Sequence, residues 1–280
     1  MAQSPKPEVV VSSDPVFSER IELSTAGAVA CLIQLNRPRE LNSLNWDTIR
    51  TLERELHAAD DDPTVRVVLI TGRGRAFSSG GDLKSYRALQ RDPVEFPLFL
   101  EDLHRTFGAI RLMKKPVVSL VNGVTAAGGL ELILSCDFAI AASSARIGDA
   151  HLAFGQMGGG GILTLLPRSI GPARARELIF SARYLTSSEA ASWGIVNRVV
   201  DDSELLAAGL EFAQGVATRS PLAVSNAKYV LNTGWAEGTG IDAALRLERE
   251  RNAYYCLNST DATEGLEAFE QKRRPEFRGS

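Results

Sequence analysis

Four short apolar runs alternate with helical patterns over the first two-thirds of the chain, and this alternation constrains the fold more than any other feature. The runs are Ala28–Leu35, Val65–Thr71, Val117–Val121 and Phe138–Ala142, each bounded by turn residues. Between the first two, Trp46, Ile49, Leu52 and Leu56 recur at helical spacing. Strands alternating with helices predict an α/β arrangement, and a spacing of about 40 residues points to structural repeats. From about Gly171 the pattern reads as helical throughout. Thr186–Glu189, Asp201–Glu204 and Asp261–Glu264 have the form of acid-containing helix starts, and Ser220 before Pro221 is a fourth. The expected organisation is a flexible lead-in over 1–16, an α/β core over 17–200 and a helical region over 201–280. Nothing local covers the amphipathic patterns Ile241–Leu257 and Ala262–Lys272, so they are expected to pack on the core or on a neighbouring subunit.

Charge and cysteine content narrow the function classes. The 280 residues carry a net charge of −3 and no basic face, which argues against nucleic-acid or membrane-surface binding. Cys31, Cys136 and Cys256 are odd in number and far apart, which predicts neither a disulfide framework nor a zinc site. No apolar stretch approaches the ~20 residues of a membrane span. The N-terminal segment lacks an apolar secretory core and an arginine-rich pattern, so a cytosolic protein is expected.

Two segments carry most of the chemical information. In Arg75–Lys84, the paired Gly80 and Gly81 follow a strand, where glycines let backbone N–H groups approach a ligand. The same segment also reads as a plain strand-to-helix turn with Asp82 as helix cap. In Val121–Asp137, Gly128 and Gly129 stand at a helix start, whose free N–H groups favour negative charge. One N–H from each loop can converge on a single oxygen, forming an oxyanion hole.

Glu131 follows in a helix start that is apolar on almost every side, the setting that suits a carboxylate to acid–base work. It reads equally as a glutamate on a wet face or one paired with an arginine. His151 is a third candidate, with Asp149 two residues before it, though a lone histidine is more often structural. Gly158–Gly161 resembles a phosphate loop but lacks the Gly-Lys-Ser/Thr that completes one. His57 and His104 fall in charged or amphipathic helical patterns and read as structural.

At these residues the chain resembles the crotonase, or enoyl-CoA hydratase/isomerase, superfamily. Leu35-Asn-Arg-Pro38 with Leu41-Asn-Ser-Leu44 is similar to the family's first signature, and Ala76-Phe-Ser-Ser-Gly-Gly-Asp-Leu83 to its second. Asn122-Gly-Val-Thr-Ala-Ala-Gly-Gly-Leu-Glu131 is similar to the third, and Ala268–Gly279 to the family's tail. The resemblance covers about Ala30 to Gly279. It implies a spiral of ββα repeats and a C-terminal helical region that assembles trimers or dimers of trimers. It also implies acyl-CoA thioester substrates, an oxyanion hole at Gly81 and Gly128, and no cofactor beyond the coenzyme A of the substrate. Lys84 resembles a phosphate-reaching lysine, and Arg39, Asp82, Phe269 and Lys272 fall at or near the coenzyme A site. Tyr86, Phe96, Leu98 and Phe99 lie where the acyl pocket is walled.

Glu131 matches the first of the two glutamates of typical hydratases, whereas the second position falls on His151. Ala150 replaces the usual preceding proline. The expected activity is hydration of a 2-enoyl thioester, with Glu131 as base and His151 as partner acid. Isomerisation, β-diketone hydrolysis and non-catalytic acyl-CoA binding stand as alternatives.

Overall fold

A computed structural model describes residues 13–236 and 238–280. The strands are β1 (Val16–Glu22), β2 (Val29–Leu35), β3 (Val65–Gly72), β4 (Ala76–Ser78), β5 (Val117–Val121), β6 (Val124–Ala126), β7 (Phe138–Ala142), β8 (Arg146–Gly148), β9 (Tyr184–Thr186) and β10 (Arg198–Val200). The α-helices of the first half are α1 (Trp46–Asp61), α2 (Leu83–Leu89), α3 (Glu95–Leu112) and α4 (Gly128–Ser135). Then come α5 (Ile162–Ile170), α6 (Pro172–Ser181), α7 (Ser187–Trp193), α8 (Leu205–Ala217), α9 (Pro221–Leu231), α10 (Ile241–Asn258) and α11 (Thr260–Glu270).

Two sheets share these strands. One has the order β1-β2-β3-β5-β7-β10, parallel except for the antiparallel β1–β2 pair. The other has the order β4-β6-β8-β9. The units β3-β4, β5-β6 and β7-β8 each give their first strand to the larger sheet and their second to the smaller, and a helix follows. This is the expected spiral of ββα repeats.

The larger sheet is covered on both faces. Cys31, Ile33 and Leu35 join one core with α1, α3 and α4, while Ala30, Leu32, Val67, Leu69, Val118 and Leu120 meet Leu205, Ala208 and Ala213 of α8. Burial on both sides is why these strands read as unbroken apolar runs instead of alternating ones. Because α8 closes the rear core, the first helix after residue 200 is part of the sheet's packing.

Several expectations change. Strand β1 starts at Val16, inside the expected lead-in; residues 1–12 of that lead-in lie outside the described residues. The short strands β9 and β10 interrupt the region read as helical from Gly171. The Thr186/Glu189 capping box and the Ser220 cap form as read from the sequence. Asp201 stands at the start of a 3-10 turn, Asp202–Glu204, without a side-chain capping hydrogen bond, and the neighbouring Asp202 accepts from Ser143 and Ser144. Asp261 accepts from the Ser220 hydroxyl and the Arg278 and Gly279 amides. The α11 helix is capped by Ser259. Among the described residues no helix is long and apolar enough to cross a membrane.

Candidate functional site

Strands β4 and β6 run side by side and deliver the two glycine loops to one place. Leu44 clamps the first loop: its N–H donates to Gly80 O (2.8 Å), and its carbonyl accepts from Asp82 N–H (3.0 Å). Gly80 has a φ of +90°, and a Cβ there would lie 2.7 Å from the Ala127 Cβ. A Cβ on Gly129 would lie 2.4 Å from the Ser78 carbonyl oxygen. Only glycine permits that approach. The same contact brings Gly128 beside Gly81, with a Cβ built on Gly128 falling 3.7 Å from the Gly81 nitrogen. No hydrogen bond among the described residues uses the N–H of Gly81 or of Gly128.

One turn into α4 stands Glu131, 1% exposed in a helix buried on nearly every side. Its Oε1 accepts the N–H groups of Gly159 (3.2 Å), Gly160 (2.8 Å) and Ile162 (3.2 Å). The four-glycine run is thus a cradle for a carboxylate, formed where backbone must press against an anionic oxygen. Three donors on Oε1 leave Oε2 as the oxygen facing His151. A Cβ at Gly160 would sit 2.8 Å from Oε2 and 2.9 Å from the Phe107 ring. Gly160→Ala is therefore expected to displace Glu131 and lower kcat about tenfold to a hundredfold, with the fold retained. Kinetics beside a thermal melt check this; kcat within twofold of wild type would show that the cradle gives way freely.

His151 opens a 3-10 turn at the end of β8. Its Nδ1 lies 2.6 Å from Asp149 Oδ1, and its Nε2 lies 3.9 Å from Glu131 Oε2. Burial of the ring opposes its charging. The hydrogen bond to Asp149 and the negative charges of Glu131 and Asp149 outweigh burial and hold the imidazolium above the usual histidine range. Tyr86, raised by burial and by the charge of Glu131, and Tyr184, raised by burial, stay neutral phenols beside it.

All of this opens on one cavity of about 580 Å³. Gly81, Asp82, Lys84, Gly128, Glu131 and His151 line it together. Of the expected acyl walls, Tyr86 and Phe99 line the cavity with Leu100 and Leu103. Phe96 packs edge-on against Tyr86 at 5.2 Å, and Leu98 is exposed.

Arg39, Phe269 and Lys272 do not line this cavity in their own chain, and Phe269 is 82% exposed on α11. Asp82 caps α2 through the Ser85 N–H and pairs with Arg37 at 2.8 Å. Burial opposes its charge, but Arg37, the Ser85 amide and Ser43 hold its carboxyl below the usual range. These contacts fix its carboxylate in the cavity wall. Arg37, which sequence reasoning missed, is the cation that this pair fixes at the rim.

Paired glycine loops over a buried glutamate, carried on ββα repeats, define a protein of the crotonase class. The chain belongs to the enoyl-CoA hydratase/isomerase family, whose model matches residues 25–280. It is 35% identical over 247 residues to a crotonyl-CoA hydratase of Syntrophomonas wolfei, covering 88% of this chain and 93% of that protein. It is 34% identical over 255 residues to a short-chain-enoyl-CoA hydratase of Clostridium acetobutylicum, covering 91% and 95%. Its fold matches the crystal structure of an enoyl-CoA hydratase from Bacillus anthracis with a TM-score of 0.87 at 31% identity, covering 95% of this chain and 100% of that one.

Proposed function

We propose that the protein adds water across the 2,3 double bond of a 2-enoyl-CoA thioester. The observation that carries this reading is that Glu131 Oε2 and His151 Nε2, 3.9 Å apart, share a cavity with the amides of Gly81 and Gly128. The thioester oxygen sits between the two amides, which take up enolate charge as it develops. Glu131 accepts a proton from a water molecule whose oxygen bonds to C3, and the C2–C3 π electrons move toward the thioester oxygen. His151 then gives its Nε2 proton to C2, and the product is a 3-hydroxyacyl-CoA. Glu131 is left protonated and His151 neutral. Passage of that proton between them resets the site.

In this reading Lys84 meets the coenzyme A phosphates, and no cofactor takes part. The exposed Ile241, Leu245 and Leu257 of α10 and Leu266 and Phe269 of α11 support trimer assembly. Such assembly gives Phe269 and Lys272, with Arg39 beside them, a neighbour's coenzyme A to meet. A cytosolic setting fits the same reading.

The test is a panel of trans-2-enoyl-CoA thioesters, followed by loss of enoyl absorbance and by product mass. The expected product is 3-hydroxyacyl-CoA, with kcat falling about a hundredfold in His151→Ala. The Asp149–His151 contact also supports a second reading, in which His151 directs water onto a β-diketone. Cleavage of such a substrate without hydration of any enoyl thioester would favour it.

A further inference from the structure

We infer that Asp149 is a positioning residue: through His151 it turns Nε2 toward Glu131 and keeps that nitrogen a proton donor, so that the Asp149–His151 pair replaces a second carboxylic acid. This rests on the hydratase reading for its role in turnover, but its effect on His151 can be measured without any reaction.

Three observations converge. First, the 2.6 Å contact engages Nδ1, so the ring can present only Nε2 toward Glu131. Second, Asp149 cannot swing away. It is 1% exposed, its carbonyl accepts the Ala127 N–H at 2.8 Å, and Ala150 between the two side chains holds a left-handed turn at φ +54°. That backbone bond ties Asp149 to the residue just before Gly128, so one short segment orients the proton donor and anchors the second glycine loop.

Third, Asp149 Oδ2 is buried with no hydrogen-bond partner among the described residues. A buried carboxylate bonded through one oxygen is costly unless its single partner is a cation. The charged and titratable groups around His151 agree. Glu131 of α4 faces it as a second anion, and Tyr86 of α2 and Tyr184 of β9 are neutral. Of the cavity's cations, Arg37 is held by Asp82 and Lys84 is exposed at the rim.

The sign of the pH effect follows. If His151 must be protonated to deliver a proton to C2, activity persists below its raised folded value and falls as pH rises through it. Removing the Asp149 charge lowers that value and moves the alkaline limb of kcat to lower pH.

The experiment compares wild type with Asp149→Asn, which keeps size and backbone contacts. The chain has three histidines, so His151 is identified in an imidazole NMR titration by the signal missing from His151→Gln. The expected result is a His151 midpoint about one pH unit or more lower in Asp149→Asn. With it, kcat should fall at least tenfold with little change in KM, and the alkaline limb should shift in the same direction.

In a His151→Glu background, Asp149→Asn should cost less than about twofold, because a carboxylic acid needs no such partner. An unmoved midpoint, or an equal loss in both backgrounds, overturns the proposal in favour of a structural role. Should Asp149→Asn fail to fold, a wild-type midpoint at or below about 6.5 overturns it. A wild type inert toward every enoyl thioester overturns the hydratase reading instead, while the titration still decides whether Asp149 controls His151.

Discussion

Glu131→Gln is expected to lower kcat by about a thousandfold while leaving the fold and the affinity for coenzyme A thioesters nearly unchanged. The amide oxygen can still accept from Gly159, Gly160 and Ile162, so the glycine cradle keeps its partner. What changes is the group facing His151: an amide replaces Oε2 and cannot take a proton from water. The two glycine-loop amides and the acyl walls are untouched, so ground-state binding persists, and the loss appears in kcat more than in KM. Glu131→Ala is the less informative variant, because it leaves three inward N–H groups without an acceptor and confounds chemistry with stability. Steady-state kinetics with calorimetric titration of a non-reactive thioester separates the two effects. A kcat within tenfold of wild type would remove Glu131 from the proton transfers.

What was legible in the sequence depended on whether the deciding contact was local. Strands β2, β3, β5 and β7 could be read because α8 and the opposite core cover both faces, leaving continuous runs of Val, Ile and Leu. The three-residue strands β4, β6 and β8 are too short for any period to register. They nonetheless carry both glycine loops and the His151 segment to the cavity. The glycine pairs at 80–81 and 128–129 and Glu131 stand out because small residues at strand ends and a carboxylate in an apolar helix are conspicuous in one dimension. The family resemblance alone singles out Gly81 and Gly128 from those pairs. The glycine run at 158–161 reads in one dimension only as an incomplete phosphate loop, because the side chain it cradles lies 28 residues earlier in the chain. Whether Asp149 and His151 meet turns on the left-handed Ala150, a backbone state that alanine seldom advertises. Arg37 escaped because its partner Asp82 is 45 residues away. Phe269 and Lys272 belong to a legible tail but do not line the cavity of their own chain.

The largest effect on stability is expected at a residue remote from the cavity. Lys228, 7% exposed on α9, sends its ammonium to Ile110 O (2.9 Å), Lys115 O (2.9 Å) and Asp137 Oδ2 (2.8 Å). Asp137 Oδ2 also accepts the Val117 N–H at 2.6 Å. One cation therefore gathers the last turn of α3, the approach to β5 and the approach to β7, and fastens the C-terminal helices to them. Lys228→Met keeps the length of the stem but leaves two carbonyls and a carboxylate facing an apolar end. Breaking a buried pair from one side costs about 3–5 kcal/mol, and the 22% exposure of the Asp137 side chain places this site near the lower figure. Urea unfolding at fixed protein concentration is expected to show that loss as a lower midpoint with an unchanged slope. Activity per folded molecule should be unaffected, because none of these groups lines the cavity of Glu131 and His151. Adding Asp137→Asn to Lys228→Met should restore part of the stability, since the uncompensated charge is then gone. A loss under 1 kcal/mol in the single variant would mean that water reaches these acceptors once the ammonium is removed. The clamp would then be a solvated contact and no fastener of α9.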